Sequence, residues 1–415
     1  MVVTILGGSA PSTPALVDWL AKQELPSPIT IRLAGRSADR LAAVARACAA
    51  LASGSCIAIQ TFRQEHWEEA LSGANVVLIQ ARIGGLPGRA FDETFPNEHG
   101  VPGDEGLGPG GLSAAVRGWP ELRKILHSVF TCAPASLPLL LTSPGSLLAR
   151  AVALEFPEWP VYPICELPFT TLAKLCASQG IPTRDVSFSY FGVNHLGWLY
   201  NVEHLGVDLI DDYARRSEPP FRELVEECGA IPLKYWRLHF ERETVICEQR
   251  RAGVANSRAS QLEAIQAEAL LAFRSGGIAD IRRALAKRPA EWYSDAVGPL
   301  LAQVAGQEGS HPFFVSTIAR DGQIRECACR FEQGAFKPLP MDEPPPRVRD
   351  LVKQFSEYEE IAAASVLEPG HTNLSRALRA HPWVTNREQA RHLADEILTG
   401  LEDRRRLGAE LACLN

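Results

Sequence analysis

The first fourteen residues constrain the fold of this chain more than any other segment. A short apolar run rich in β-branched residues, 1–6, leads directly into a turn of Gly7, Gly8 and Ser9, and an amphipathic segment begins near Thr13. A strand, a glycine turn and a helix start, in that order, let a pyrophosphate lie against backbone N–H groups at the positive end of a helix. The spacing differs from Gly-x-Gly-x-x-Gly, and a tight turn without a ligand also needs glycines.

Further apolar runs follow at 29–33, 74–80 and 139–142, separated by helical patterns. Strands that alternate with helices indicate a parallel sheet with helices on both faces. A length of 415 residues exceeds one ordinary domain. We therefore expect a Rossmann-type dinucleotide-binding domain with a doubly wound parallel sheet at 1–162 and a second domain at 163–415.

Composition excludes several classes of partner. The net charge of −7 provides no basic field for nucleic acid. No run of about 18 apolar residues is present, and the run 1–6 is too short for a secretory signal. Ten cysteines without framework spacing are typical of a reducing compartment, so we expect a cytoplasmic enzyme. Cys327 and Cys329 lie in an alternating pattern that favours a structural role on a strand.

One cysteine and one histidine suggest a metal site. Cys165 precedes His195 by thirty residues, and His195 follows Asn194 just after a β-type run, 186–190. A thiolate and an imidazole suit a borderline-soft divalent metal, and two protein ligands leave positions open for substrate oxygens. Taken alone, the pair is more often a buried thiol and a core histidine. The dinucleotide-type unit at the N-terminus favours the metal site.

Several short motifs together point to one family. In order they are Gly7, Gly8 and Ser9 with Thr13 and Pro14, then 82–85, 89–93, 103–111, 142–145, the Cys165 and His195 segments, and 377–384. In these motifs the chain resembles glycoside hydrolase family 4, the NAD- and manganese-dependent glycosidases whose fold is like that of lactate and malate dehydrogenases. The resemblance runs almost end to end, and it implies that the second domain, at 163–415, is α+β and binds substrate and metal. Around 194–198 and 231–235 it is closer to the 6-phospho-β-glucosidase branch than to the α-glycosidases.

The resemblance implies a reaction that begins with oxidation, unlike the two-carboxylate scheme of most glycosidases. The nicotinamide removes hydride from C3 of the sugar, and the resulting ketone acidifies the proton on C2. A tyrosine then takes that proton while the metal stabilises the enolate. The aglycone leaves C1, water adds, and the hydride returns to C3. The implied cofactors are NAD or NADP and Mn²⁺ or another divalent metal, the substrate is a glycoside or sugar phosphate, and the assembly is a homo-oligomer (dimer or tetramer).

The family's functional residues carry over to particular positions of this chain. Cys165 and His195 correspond to the metal ligands, and Tyr235 to the base, although it could instead be an aromatic that covers the domain interface. The catalytic candidates are Tyr235, Glu166 and Glu105. The substrate-binding candidates are Arg89, Glu105 and Asn194. The cofactor-binding candidates are Gly7, Gly8, Ser9, Thr13, Arg36, Arg82 and Ser143.

Three of these assignments have particular reasons or alternatives. Glu105 matches the acidic position of the glycine-rich loop, where it contacts the sugar or acts near the metal. Arg89 could bind a sugar phosphate with two hydrogen bonds. A structural role for Arg89 is an equal alternative, since Asp92 and Glu93 could pair with it. Asn194 is expected to orient a sugar hydroxyl or the ribose.

Three positions depart from the family's pattern. Arg36 and Ser37 stand where the family usually has an aspartate for the ribose hydroxyls, and they suit a 2′-phosphate, which favours NADP. Glu166 replaces the asparagine or aspartate after the metal cysteine and could act as a general acid, which leaves the anomeric preference open. Ser143 replaces the usual asparagine before a proline.

Two further functions therefore remain open on the sequence. One is an NAD(P)-dependent oxidoreductase acting on a sugar or hydroxy acid, which Arg36 and the fold favour. The other is a non-catalytic sugar- or nucleotide-binding relative, which the changes at Glu166 and Ser143 allow.

Overall fold

A mixed β-sheet runs through the computed structural model, which describes residues 1–319 and 321–412. The strands are β1 (Val2–Leu6), β2 (Ile29–Gly35), β3 (Ile57–Arg63), β4 (Val76–Ile79), β5 (Leu137–Leu140), β6 (Tyr162–Cys165), β7 (Ser187–Val193), β8 (Leu196–His204), β9 (Val207–Asp208), β10 (Ile231–Pro232), β11 (Phe313–Ile318), β12 (Ile324–Glu332) and β13 (Ala335–Pro338).

Helices cover both faces of this sheet. They are α1 (Thr13–Leu20), α2 (Ala38–Leu51), α3 (Trp67–Leu71), α4 (Gly85–Glu98), α5 (Gly108–Cys132), α6 (Gly145–Glu155), α7 (Leu167–Ser178), α8 (Ile210–Arg215), α9 (Phe221–Cys228), α10 (Arg237–Phe240), α11 (Arg242–Ala252), α12 (Arg258–Ser275), α13 (Ile278–Ala286), α14 (Gly298–Val304), α15 (Pro346–Leu367), α16 (His371–Ala380) and α17 (Arg387–Ala412).

The N-terminal strands follow the order β3-β2-β1-β4-β5-β6, and each neighbouring pair is parallel. This is the order of dinucleotide-binding sheets, in which ligands bind beyond the carboxyl ends of the strands where the order reverses. Here the reversal lies between β1 and β4. The predicted fold class, a Rossmann-type doubly wound sheet followed by an α+β region, is confirmed.

The rest of the sheet is antiparallel and continues from β6 in the order β11-β12-β7-β8-β10, with β13 beside β12 and β9 beside β8. Strand β6 pairs in parallel with β5 and in antiparallel with β11. The predicted domain boundary at 162/163 thus falls within β6, and the division itself stays a prediction. Residues 413–415 of the predicted second domain lie outside the described part of the chain.

Two hydrophobic cores lie on opposite faces of the parallel sheet. Along β4, Val76 and Leu78 belong to one core, and Val77 and Ile79 to the other. Successive strand side chains point to opposite faces, so a strand covered on both sides must be apolar throughout. This explains why the N-terminal strands are continuous apolar runs.

The predicted strand around Cys327 and Cys329 is confirmed as β12, with Cys329 buried and Cys327 partly buried. The nine cysteines in the described part of the chain are all free thiols. None of the helices within residues 1–319 and 321–412 combines the length and the hydropathy needed to cross a bilayer.

Candidate active site

The candidate residues gather along one edge of the sheet. Parallel strands end at the same edge, so residues far apart in sequence meet there. The candidates that end or directly follow these strands are Gly7 after β1, Arg36 after β2, Arg82 after β4, Ser143 after β5 and Cys165 at the end of β6.

The glycine turn is required by the packing of the strands themselves. Gly7 has φ +90°, and a Cβ on Gly8 would lie 2.8 Å from the Cα of Leu33. The N–H groups of Gly7 and Gly8 both donate to the carbonyl oxygen of Ala34, at 3.0 and 2.9 Å. The turn is therefore closed against β2, and cofactor binding by these glycines stays a prediction.

Thr13 is buried at the start of α1, and its hydroxyl accepts a hydrogen bond from the side-chain amide of Gln80 at 2.9 Å. The same amide nitrogen donates to the carbonyl of Gly7, and Gln80 Oε1 accepts from the hydroxyl of Tyr293 at 2.5 Å. Gln80 thus fastens the glycine turn to the helix start. In the sequence, Gln80 is visible only as a polar residue that ends the apolar run 74–80.

Arg36 is exposed, next to Ser37, which caps α2 by accepting from the N–H of Arg40. A Cβ on Gly35 would lie 3.0 Å from Ser9 Oγ, so the end of β2 abuts the glycine turn. Arg36 and Ser37 follow the strand whose end faces an adenosine ribose in such sheets, and cofactor binding by Arg36 stays a prediction.

The glycine-rich loop 103–111 brings several family motifs into contact. A Cβ on Gly103 or Gly110 would overlap the backbone of helix α4. A Cβ on Gly106 would overlap Nδ1 of His195, and one on Gly108 would lie 2.7 Å from the ring of Trp383. These positions must be glycine for the loop to approach α4, the histidine and the C-terminal motif together.

Glu105 lies between two arginines. Its carboxylate accepts from Arg82 Nη1 and lies 2.7 Å from Arg89 Nη1, while Arg89 Nε donates to Glu93 at 2.7 Å. Burial alone would raise the pKa of Glu105, but the charges of Arg82 and Arg89 outweigh it and the pKa is lowered. Glu105 is therefore held as a carboxylate. Arg89 pairs with both Glu93 and Glu105, as the alternative of a structural role for Arg89 would require. Asp92 instead pairs with Arg117.

Cys165 and His195 are the predicted metal ligands, and metal binding by this pair stays a prediction. The thiol is buried, with Glu166 Oε2 at 3.9 Å as its hydrogen-bonding neighbour. His195 occupies the two-residue turn between β7 and β8, and its Nδ1 is buried without a partner. Burial, aided by the charge of Lys234, lowers the pKa of His195 to about 4, so the imidazole is neutral as a metal requires.

The thiol itself is protonated in the protein alone. Burial, and then the charge of Glu326, raise the pKa of Cys165 well above its usual value. A bound cation reverses this by stabilising the thiolate. Among residues 1–319 and 321–412, no group of three or more His, Cys, Asp or Glu side chains is placed to hold a metal. A cation held by these two ligands would therefore keep positions for substrate oxygens.

Tyr235 lies directly against His195. Strand β10 pairs with β8, which brings the following turn beside the β7–β8 turn. The rings of Tyr235 and His195 are stacked with centroids 4.7 Å apart, and Lys234 Nζ lies 5.2 Å from the Tyr235 ring. Burial, followed by the charge of Asp104, raises the pKa of Tyr235 well above 10. The phenol can thus serve as a base only when a cation is bound nearby.

Glu166 lies between Cys165 and the first residue of helix α7. Burial raises its pKa, against the opposing charge of Lys234. A raised pKa favours the protonated form, which can donate a proton, and the catalytic role of Glu166 stays a prediction. Lys234 was missed in the sequence, where nothing distinguishes it from a surface lysine; its position follows from the pairing of β10.

Asn194 is 8% exposed, and protein groups occupy its side-chain amide. Its Oδ1 accepts from the N–H of Gly145 at 3.2 Å, and its Nδ2 donates to Glu326 at 2.8 Å. Ser143, two residues before Gly145, lies in the segment that Asn194 holds. Sugar or ribose contacts by Asn194 and Ser143 stay predictions. Glu326 was not identified from the sequence, although it is a charged residue within an apolar alternating strand.

Two family models match the chain. Residues 1–180 match the model described as family 4 glycosyl hydrolase, and residues 190–384 match the family 4 glycosyl hydrolase C-terminal domain. A probable 6-phospho-beta-glucosidase of Bacillus subtilis is 23% identical over 422 residues, covering 96% of this chain and 95% of the relative. A maltose-6'-phosphate glucosidase of Fusobacterium mortiferum is 28% identical over 242 residues, covering 58% of this chain and 53% of the relative.

Solved structures share the fold along almost the whole chain. The 6-phospho-beta glucosidase from Thermotoga maritima, solved with manganese, NAD+ and glucose-6-phosphate, has a TM-score of 0.85 at 22% identity, covering 97% of this chain and 99% of the other. A 6-phospho-alpha-glucosidase from gut microorganisms, in complex with NAD and Mn2+, has a TM-score of 0.80 at 18% identity, covering 96% and 97%.

Proposed function

Because this chain belongs to the family 4 glycosyl hydrolases, as the sequence motifs predicted, we propose that it hydrolyses the O-glycosidic bond of a 6-phosphoglucoside, as a 6-phospho-β-glucosidase does. The stacked pair of His195 and Tyr235 carries this proposal. In this pair a neutral imidazole, the candidate metal ligand, lies against the candidate base, beside Gly106 of the glycine-rich loop. Relatives named as 6-phospho-beta-glucosidases support the substrate class.

The proposed cofactors are NAD or NADP and a divalent cation such as Mn²⁺. Cys165 and His195 would hold the cation, and the glycine turn with Ser9, Thr13, Arg36, Arg82 and Ser143 would hold the dinucleotide. When bound, the nicotinamide would take a hydride from the sugar and return it, and the cation would polarise the sugar's oxygens. Solved family structures that contain NAD and manganese support this pair of cofactors.

The chain's own residues would then handle the protons. With a cation bound nearby, Tyr235 would lose its hydroxyl proton to solvent, and the phenolate oxygen would then accept the proton from C2 of the sugar. The ring of Tyr235 stacks on that of His195, the candidate metal ligand. Glu166, whose pKa burial raises, would give its proton to the glycosidic oxygen as the aglycone leaves. Glu105 would contribute a fixed negative charge, because two arginines keep it ionised.

Substrate recognition would use the positive side chains at the rim. Arg89 is tied to two carboxylates, so a phosphate would compete with Glu93 or Glu105 for it. Lys234 is exposed beside Tyr235 and is the freer cation to meet a sugar phosphate. The anomer that the site accepts depends on Glu166, which differs from both branches of the family.

A cytoplasmic location and a homo-oligomeric assembly, dimer or tetramer, belong to the same proposal. The nine free thiols among the described residues support a reducing compartment. Light scattering on a sizing column measures the assembly directly, and a monomer at enzyme-assay concentrations would contradict it.

Turnover of chromogenic glucosides tests the proposed function. With NAD+ and Mn²⁺, p-nitrophenyl β-glucoside 6-phosphate should release nitrophenol while reduced cofactor does not accumulate. The unphosphorylated β-glucoside and the α-linked phosphate serve as matched substrates for phosphate and anomer. Accumulation of reduced cofactor without aglycone release would indicate an ordinary oxidoreductase, and neither signal would indicate a non-catalytic binding protein.

A further inference from the structure

A buried carboxylate lies directly behind the turn that carries His195. Glu326, on strand β12 opposite Gly192 of β7, is 2% exposed. It receives two hydrogen bonds, one from the hydroxyl of Tyr190 and one from Nδ2 of Asn194 at 2.8 Å. Both donors are also buried, so Glu326 satisfies two groups that water does not reach.

The contacts of Asn194 extend this network to the edge of the parallel sheet. Its Oδ1 accepts from the N–H of Gly145, and its own N–H donates to Ser146 Oγ at 3.3 Å. Ser146 in turn donates to Glu359 at 2.5 Å. A Cβ on Gly145 would lie 2.9 Å from Asn194 Oδ1, so the amide fits closely against the start of α6. Asn194 therefore connects the β7–β8 turn with the segment that follows β5, and Glu326 holds the amide nitrogen of Asn194 on the other side.

The turn needs this support because its backbone is unfavourable. His195 has φ +70°, in the left-handed region that residues other than glycine rarely adopt. Such conformations persist when the surrounding structure holds them. The hydroxyl of Tyr190 also fills the space where a Cβ on Gly197 would lie, so the same contacts fix both strands beside the turn.

We propose that Glu326 is a positioning residue that holds the Asn194–His195 turn in place and thereby sets the imidazole of His195 for metal binding. The inference rests on the proposed function, because it concerns the cation that Cys165 and His195 would hold. Partners behind a metal ligand fix its orientation, and their loss typically weakens metal affinity or activity by about 10–100-fold. Glu326 acts through Asn194 and does not itself reach the substrate.

Three variants of Glu326 distinguish a role in holding the turn from a role of the negative charge. Glu326→Gln keeps the length and an acceptor for Asn194 but removes the charge. Glu326→Asp keeps the charge but is one methylene shorter and no longer reaches both donors. Glu326→Ala removes both contacts and leaves buried donors unpaired. Cys329→Ala is the matched control, because Cys329 is buried on the same strand but belongs to a different hydrophobic core from Tyr190.

The measurement is the dissociation constant of Mn²⁺ by titration calorimetry with NAD+ present, together with NAD affinity and thermal unfolding. Glu326→Asp and Glu326→Ala should bind Mn²⁺ about 10–100-fold more weakly, while Glu326→Gln and Cys329→Ala stay near the wild type and NAD affinity is unchanged. If Glu326→Ala does not fold, the comparison of Asp with Gln decides the matter.

Weaker binding in the Gln variant with normal binding in the Asp variant would overturn the proposal and assign Glu326 an electrostatic role. Equal Mn²⁺ affinity in all variants would overturn it as well and leave the proposed function intact. A wild-type protein that binds no Mn²⁺ would refute both the proposed function and this inference.

Discussion

The imidazole of His195 lies almost parallel to the phenol ring of Tyr235, with an angle of 14° between the planes and 4.7 Å between the centroids. The candidate metal ligand and the candidate base are therefore in direct contact. A positive charge within about 4–6 Å favours the ionised form of an acid. Loss of the cation should consequently remove the base as well, although no bond joins the two side chains.

Metal binding should depend on both predicted ligands. Cys165→Ser and His195→Ala should each abolish Mn²⁺-dependent activity, because either change leaves the cation with a single protein ligand. Both residues lie at strand ends, so the fold should persist, as circular dichroism and NAD titration would verify. Mn²⁺ should be the best activator, with Co²⁺, Ni²⁺ and Fe²⁺ tolerated by a thiolate site.

A crystal structure with bound metal provides the decisive check on these ligands. First-shell bonds should be roughly 2–2.3 Å long. A divalent ion more than about 5 Å from both side chains would remove the assignment.

The proposed proton transfer predicts isotope exchange at a defined carbon. Turnover in D₂O should place deuterium at C2 of the released sugar, since the tyrosine proton exchanges with solvent before it returns. Tyr235→Phe should lower kcat and the exchange by about 10²–10⁴-fold, the usual contribution of a general base, with little change in NAD affinity. Mass spectrometry or proton NMR of the sugar gives the measurement.

Two results of that experiment would require different revisions. Hydrolysis without deuterium at C2 would exclude the elimination route. Exchange that survives in Tyr235→Phe would instead assign the base to another residue.

The nucleotide preference should follow Arg36. This exposed side chain directly follows β2 and stands beside Ser37, so NADP should bind at least as tightly as NAD. Arg36→Asp should shift the preference toward NAD by repelling a 2′-phosphate, as fluorescence titration with both nucleotides would show. Arg40→Ala is the matched control variant, because Arg40 is a second arginine four residues after Arg36, in the first turn of α2. An unchanged preference in Arg36→Asp would mean that the side chain does not face the ribose.

Ionisation of Asp104 should lower the stability of the cofactor-free protein as the pH rises from about 4 to about 7. Burial raises the pKa of Asp104 to about 7 from its ordinary 3.8. In this window the folded chain keeps a proton that the unfolded chain releases, so the free energy of unfolding decreases, by at most about 1.4 kcal/mol per pH unit.

Asp104→Asn isolates this contribution. Asparagine keeps the oxygen that accepts from the N–H groups of Gly106 and Leu107 but does not titrate. The free energy of unfolding, measured with denaturant, should therefore decrease less with rising pH in the variant than in the wild type. Identical slopes would show that Asp104 ionises normally in the folded protein.

The parallel half of the fold was predictable because its signals are local. Strands covered on both faces must be apolar throughout, and a glycine with φ +90° at the end of β1 is visible as a glycine in the sequence. The exact strand ends were not, because pairing with neighbours decides them. The run 29–33, for example, extends to Gly35 through its contacts with β3.

The site was predictable only where single residues carry recognisable chemistry. Cys165, His195 and Tyr235 belong to motifs, whereas Glu326 and Gln80 acquire their roles from strands that meet far along the chain. The sequence showed that residue 105 is acidic but not that it is ionised. The ionised state of Glu105 depends on Arg82 and Arg89, which come close to it only in the folded chain.

Strand β6 ends at Cys165 and is hydrogen-bonded to the parallel strands on one side and to the antiparallel strands on the other. Any opening of the parallel half of the sheet against the antiparallel half would therefore have to break hydrogen bonds along β6. A link of this kind predicts that Cys165 keeps the same distance from both halves of the sheet whether or not a ligand is bound.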